Sequence, residues 1–473
     1  MIVKFTLPTD RQEDYFPMLT ELKTFSVLLC VSFTFVGIAS ADQAQAALAV
    51  NSVAASTAAS APLFLTVEGM IERLKQESPR VLFERESVRR ALEQSFQQRA
   101  ALLPQISLRA SQTRQQFGRG FAGDAFEAPP FNAFGARVQG TLSVLDTERY
   151  ADYRLSLLGH AIAKMDYEVA VQDILDQAVQ LYFTQLRDLR RVEIVAGNIE
   201  RNAALLQLAR EQFEAGVAVQ IDVTRAEVRV ATERRAMMSA RTAVQDSILQ
   251  LKALLDVDLE RGLNLDHSII NDIKSPPSLK RYASIGSSLI DRRPELASQQ
   301  KQLEQAKLAR QAAAWQRLPS VELFGDWGYD SNEALDSENA EAWLVGLRAS
   351  IPLFEGFRIA ANKREAAAAV RQREYQMRDL ENRIEREFRF AMIEMDARYE
   401  EIAIARDEIR LGHDEVEQAE LRYREGLADN RELIDAQQRL ADAKSSHLRS
   451  AYFYGLSRLA FARAIGSVER VLD

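Results

Sequence analysis

Proline and glycine are scarce in this chain, 12 and 20 among 473 residues. Tight turns must therefore be few, and long regular elements must dominate. Aromatic residues make up only 8%, less than the core of a large compact enzyme usually draws on. The single cysteine, Cys30, lies inside an apolar run near the N-terminus and lacks the small residue that precedes a lipidated cysteine. Removal of that run would leave the exported chain without disulfides or thiolate metal ligands. Nothing further along reaches 18 consecutive apolar residues, so no transmembrane helix is expected, although an exported chain can still span a bilayer as a β-barrel. The formal charge is -8 with acids and bases interleaved, which offers no basic surface and excludes nucleic acid as an expected partner. His160, His267, His413 and His447 are scattered without metal-ligand spacing. No Ser/His/Asp or Cys/His set and no phosphate-cradling loop is evident. Neither an enzyme nor a metal or cofactor site is expected.

What is present begins with Phe25 to Ala39, an uncharged apolar run preceded by Lys23. This reads as a signal peptide over residues 1–41, cut after Ala39-Ser40-Ala41 or near residue 46, with Met18 as an alternative start. Residues 42–65, rich in Ala and Ser, are expected to be loosely held, as is the tail 467–473.

The rest is a duplication. Pro79 corresponds to Pro294 and Leu103-Pro104 to Leu318-Pro319; Gly216 corresponds to Gly426 and Leu255 to Ile465. The segments REQFEAGVAVQIDVTRAE and ELRYREGLADNRELIDAQ share an aromatic, a Gly three residues on, an acid six past the Gly and an Ala four further. A first repeat over 66–255, an inter-repeat segment over 256–292 and a second repeat over 293–466 follow. Within the first, Val171, Leu175, Ala178, Tyr182, Leu186, Leu189, Val192, Val195, Ile199, Ala203 and Leu206 form a heptad-like seam. The proline-free stretches Thr147–Glu214 and Glu355–Glu425 predict rods of about 100 Å. Gly216 and Gly426 are expected to end them in the left-handed conformation, with helices returning over Asp222–Leu255 and Glu432–Ile465.

Elsewhere the period is two. Phe134, Ala136, Val138, Gly140, Leu142 and Val144 interleave with Gly135, Arg137, Gln139, Thr141 and Ser143, the alternation of a strand with one apolar face. Four strands are predicted, at about 104–115, 132–145, 319–330 and 341–354, with hairpin tips near 117–130 and 331–340. Arg109, Arg137, Glu322, Asp326 and Arg348 fall on the polar face. Four strands cannot close a membrane barrel, which starts at about eight, so several chains must share one.

The Arg293–Leu296 segment RPEL, the strand starts at Pro104 and Pro319, IPLFEGFR at Ile351–Arg358 and the doubled aromatic-Gly-acid-Ala pattern resemble those of TolC-like outer-membrane efflux proteins, over about residues 65–466. The first copy departs at Val144–Glu148, where the proline-led segment is degraded. The resemblance implies a mainly α chain with membrane β: a homotrimer whose 12-stranded barrel in the outer membrane of a diderm bacterium continues as a helical barrel through the periplasm. It implies a periplasmic adaptor and an inner-membrane transporter as partners, and efflux or type I secretion as the function. Glu432 and Asp435 match the family's acidic rings at the periplasmic mouth, and Asp222 and Tyr423 match the network that holds it closed. Ala428 stands where that network has its basic member, leaving Arg431 and Arg422 as substitutes. The acids also suit helix N-termini on dipole grounds alone. A periplasmic coiled-coil scaffold or adaptor without a pore is the alternative reading.

Overall fold

The structure, a computed structural model, describes residues 62–116, 130–267, 275–276, 293–333 and 340–469. The signal-peptide reading, both hairpin tips apart from a few flanking residues, and most of the inter-repeat segment lie outside the described residues.

The first repeat runs from a short strand β1 (Leu63–Leu65) through helices α1 (Val67–Glu77) and α2 (Pro79–Ala100). Strands β2 (Gln105–Gln115) and β3 (Phe131–Leu145) follow, then the long helix α3 (Thr147–Glu214) and its return α4 (Gln220–Leu254). After β4 (Leu263–Leu265), the second repeat supplies α5 (Pro294–Trp315), β5 (Ser320–Ser331) and β6 (Ala340–Ser350). It ends in α6 (Arg358–Arg424) and α7 (Asn430–Ala464). The duplicated prolines open α2 and α5, where a missing N–H costs nothing.

Each long helix stops by the same device. In the first elbow Val217 N–H donates to Gln212 O at 2.9 Å and Gly216 N–H to Phe213 O at 3.0 Å; in the second Leu427 N–H donates to Arg422 O at 2.8 Å and Gly426 N–H to Tyr423 O at 3.1 Å. These are paired Schellman caps. They require positive φ, 74° at Gly216 and 68° at Gly426. The ends of α4 and α7 repeat the device less evenly, with Asp256 at φ 53° where the second copy has Gly466 at φ 88°.

β2, β3, β5 and β6 pair antiparallel in that order. Within the described residues β2 and β6 are the sheet's two edges. Register places Leu108, Val138, Trp327 and Trp343 in one row and Arg109, Arg137, Gly328 and Ala342 in the next. One face is therefore apolar from the row of Leu145, Val321 and Ala349 to that of Leu108, Val138, Trp327 and Trp343 and turns polar beyond it at Glu341, Gln112 and Arg114; Trp327, Tyr329 and Trp343 gather on it towards the tips, with Trp327 Nε1 donating to Glu341 at 2.8 Å. In membrane barrels such aromatics gather at the boundary with water. Gly328 has no room for a side chain, because a Cβ would meet the carbonyl of Ala136 and lie 2.6 Å from Arg137 Cα.

Several expectations need correcting. Residues 63–65 are not loose: they pair in parallel with Leu263–Leu265, and the Tyr182 hydroxyl donates to Asp266 O at 2.7 Å and meets Leu65 O at 3.3 Å. The tail is held as far as Glu469, since Val468 is fully buried, its N–H donates to Gln172 at 2.8 Å, and Glu469 pairs with Lys75. β6 ends at Ser350 rather than 354, as Pro352 has no N–H to give a ladder. α6 starts at Arg358 because Gly356 and Phe357 are both left-handed. The bulge between Ser143 and Leu145 puts Leu145, not Val144, opposite Val321. The α3 seam also drifts: beyond Val195 the buried side is Asn198, Asn202, Leu205 and Ala209, while Ala203 is exposed. A straight helix departs about 20° per heptad from a 3.5 repeat, and α3 packs on α4 and α7 together.

A Cβ at Gly216 or Gly426 would touch nothing within 4 Å, so replacement by Ala costs only the left-handed conformation. Gly216→Ala and Gly426→Ala should each favour local opening by about 1 kcal/mol, read as faster amide exchange at that elbow alone. Asp256→Gly should slow exchange at the end of α4. Unchanged exchange in all three would contradict the capping assignment.

Candidate functional site

The two features that concentrate polar chemistry are the elbows and the polar strand face. They lie at opposite ends of α3, 68 residues apart along one helix.

At the second elbow, Asp429 caps α7 by accepting from Glu432 N–H at 3.2 Å. The Glu432 carboxylate does not reach back to complete a capping box. It turns instead to Arg422, with Nε 3.0 Å and Nη2 3.4 Å away, a two-point ion pair across the elbow. Asp435 has Arg431 at 4.0 Å, one turn away. Both acids remain exposed, so each pairing contributes at most about 1 kcal/mol. Arg422 and Arg431, the two candidate basic substitutes, are thus engaged by Glu432 and Asp435.

Asp222 at the first elbow has a different environment. Its side chain is 13% exposed, accepts from Val219 N–H at 3.4 Å and pairs with Arg225 at 3.3 Å. The elbows are tied through its backbone, because the fully buried Asn430 donates from Nδ2 to Asp222 O at 2.9 Å. Tyr423 is buried against Leu205, Leu433 and Ala436. Its hydroxyl has no hydrogen-bond partner among the described residues, and burial, together with the Asp222 charge, raises its pKa. The chain therefore brings Tyr423, Asp222 and Asn430 together between the elbows. Asn430 and Arg225 were missed by sequence reasoning; Asn430 heads α7 as Gln220 heads α4, the one signal that pointed to it.

On the sheet, Arg109, Arg137, Glu322, Asp326 and Arg348 share the polar face by register. Arg137 binds Asp326 at 2.7 Å and also pairs with Asp330. Arg348 stands 3.9 Å from Glu322 and over the Phe324 ring at 4.7 Å. Arg109 lies directly opposite Arg137, a like-charge pair that would be unfavourable alone and that the two aspartates offset. No group of metal-ligating side chains occurs among the described residues.

An open sheet with one apolar and one charged face, feeding helices about 100 Å long, defines a protein that lines a passage together with other chains. The sequence profile of the family described as Outer membrane efflux protein matches residues 70–256 and 285–467. The chain belongs to that family: it is a TolC-like transport channel of the outer membrane with its helical part in the periplasm, and the family is one of ducts rather than enzymes. The probable efflux pump outer membrane protein TtgC of Pseudomonas putida is 23% identical over 400 residues, 78% of this chain and 76% of that one. The alkaline protease secretion protein AprF of Pseudomonas aeruginosa is 22% identical over 59% of each chain. Among solved structures, the Campylobacter jejuni CmeC outer membrane channel superposes with a TM-score of 0.75 over 85% of each chain at 18% identity. TtgC is thus named for an efflux pump and AprF for the secretion of a protease.

The Tyr423 hydroxyl makes no bond that phenylalanine would lose, so Tyr423→Phe should change stability by less than about 0.5 kcal/mol at pH 7. A tyrosine whose pKa is raised on folding contributes fully below its unfolded pKa, near 10, and loses that contribution as pH climbs above it. Amide exchange around residues 420–436 should accelerate above about pH 10 in the wild type and less so in Tyr423→Phe; identical profiles would remove Tyr423 from the elbow's energetics.

Proposed function

We propose that three copies of this chain assemble into one passive duct. Each would donate four strands to a shared 12-stranded barrel and two helical hairpins to a barrel of helices. Cargo would enter from an inner-membrane transporter through a periplasmic adaptor and leave outside the cell. The observation that carries this reading is the sheet, four-stranded with two unpaired edges among the described residues, and its apolar face. Such a sheet is stable in lipid only when its edges are paired with other strands. Lipid is then the partner of the apolar face, and Arg109, Arg137, Glu322, Asp326 and Arg348 line the lumen. The energy for transport comes from the partner complex, and the duct itself uses no nucleotide and no cofactor.

At the far end the two elbows of each chain would form the periplasmic aperture, six in all. Tyr423, Asp222 and Asn430 hold the first and second hairpins together inside one chain, so a movement of either hairpin is coupled to the other. Glu432 and Asp435 would face the axis as rings of carboxylate. Their effect on ions is moderated by Arg422 and Arg431, which already neutralise part of the charge. A ring of this kind attracts and slows cations at a constriction.

Replacing both acids, Glu432→Ala with Asp435→Ala, should lower cation selectivity and weaken divalent-cation block in planar bilayers, and it should do so more strongly than Glu432→Gln alone, since the double change leaves Arg422 and Arg431 uncompensated. Unchanged selectivity would contradict a mouth-lining position for these residues.

A further inference from the structure

The four long helices do not share their contacts evenly. α3 packs on α4 and on α7, α6 packs on α7, and α4 barely reaches α7, so they lie side by side in the order α4, α3, α7, α6. The outer pair, α4 and α6, carries the exposed apolar surface. α4 shows Ile221, Val228, Met238 and Leu249, and α6 shows Phe390, Ile393, Ile404, Leu411 and Leu421 besides Tyr375 near its start, whereas α7 shows Phe453 alone among its described residues.

These side chains point away from the neighbouring helix of the same chain. Val223 and Leu251 of α4, buried in clusters with α3, stand two residues after Ile221 and Leu249. Phe388 and Ile402 of α6, buried in a cluster with α7, stand two residues before Phe390 and Ile404. Two residues turn a helix by about 200°, so each stripe occupies the far face. Its members fall on the alternating three- and four-residue steps of a coiled coil. From 221 to 249 every step on α4 is uncharged except Arg235. From 390 to 421 every step on α6 is uncharged except Glu400, Asp407 and Asp414, one heptad apart.

The two stripes also match in height. Counted upward from Gln220 on α4, Ile221, Ala231, Arg235, Met238 and Leu249 stand at 1, 11, 15, 18 and 29. Counted upward from Arg424 on α6, Leu421, Leu411, Asp407, Ile404 and Ile393 stand at 3, 13, 17, 20 and 31. The offset is two residues throughout, and the one base of α4 meets an acid. The counts are comparable because the chain levels these helices itself: Arg229 of α4 bonds Gln438 of α7, and Arg439 of α7 donates from Nε to Glu415 of α6 at 2.9 Å. Arg229 and Glu415 are both nine residues above their elbow ends, so α4 and α6 stand level to within about one turn. Rotation about an axis along the helices leaves heights unchanged.

We infer that α4 of one chain packs against α6 of the next as an antiparallel coiled coil in this register, with Arg235 paired to Asp407 at its middle. The occupant is a second copy, because one outer face of this chain complements the other in spacing, height and charge. Such head-to-tail contacts close into a ring. The inference rests on the three-chain assembly proposed above and adds which faces meet and in what register. Asp407 has room for the incoming guanidinium, since Arg410 on its own helix stays at 3.6 Å, beyond a direct hydrogen bond. A shift of one step would set Arg235 against Ile404 or Leu411 instead.

Charge reversal tests the register in the purified full-length protein. Arg235→Glu should raise the monomer-to-trimer ratio in dilute detergent about fivefold, as loss of one ion pair per interface implies. Asp407→Arg should do the same, and the two together should restore most of the wild-type ratio. The residues stand on opposite sides of one chain, so recovery reports contact between chains. In a Cys30→Ser background, Met238→Cys with Ile404→Cys should oxidise to covalent trimers, whereas Met238→Cys with Leu411→Cys, two turns away, should not. A double reversal no better than the single ones, or equal cross-linking of both cysteine pairs, would overturn the register. Should the charge variants fail to assemble, the cysteine pairs decide alone, and a matched pair that never cross-links overturns it. Native mass spectrometry of the wild type separates the two levels: trimers without the matched cross-link refute this seam only, while monomers alone refute the assembly itself.

Discussion

Everything in this molecule follows from the requirement that backbone N–H and C=O groups be paired wherever water is absent. In hydrocarbon each unpaired group costs several kcal/mol. β3 and β5 meet that requirement on both sides, whereas β2 and β6 meet it on one. A soluble protein could leave these edges to water, but a sheet whose face of Leu108, Val138, Trp327, Trp343 and Leu347 meets lipid, as proposed above, would have its edges where water is not. Another copy of the chain is the simplest source of the missing partners. Two hairpins per chain, delivered by a duplicated sequence, would make such a closure repetitive and leave the long helices no place but the prolongation of the proposed barrel.

The helices in turn depend on their ends. Rods of 68 and 67 residues contribute to a duct only if they stop together and return, and the paired Schellman caps at Gly216 and Gly426 do this with almost the same set of hydrogen bonds. The elbows differ in charge rather than in backbone. The first exposes Val217, Val219 and Ile221, while the second presents Arg422, Arg431, Glu432 and Asp435. Equivalent geometry with unlike chemistry would let one repeat serve as scaffold and the other carry the charged constriction proposed above, with Asn430 and Tyr423 between the two elbows.

Much of this was legible from residues alone. Glycine at a left-handed cap and the two-residue alternation of β3 each reflect a local backbone preference that survives in any context. That Arg109, Arg137, Glu322, Asp326 and Arg348 share one strand face was legible for the same reason, since alternation alone assigns the face. What escaped was set by contacts distant in sequence. The pairing of Leu63–Leu65 with Leu263–Leu265 joins segments too short to carry a pattern. The bulge before Leu145 is a matter of how β3 meets β5. Asn198 and Asn202 are buried because α3 packs on both α4 and α7, and an apolar search passes over them. The partners of Glu432 and Asp222 depended on side-chain reach across an elbow, which spacing does not determine.

The measurement that bears most directly on the shared barrel is cysteine cross-linking between the two sheet edges. With Cys30 replaced by Ser, single cysteines scanned along β2 are combined with single cysteines scanned along β6 and oxidised in native membranes. Pairs at matching depth should yield covalent dimers and trimers, with the series ending at three chains. Only monomers at every pairing, or a ladder that continues beyond three, would contradict a barrel closed by three copies.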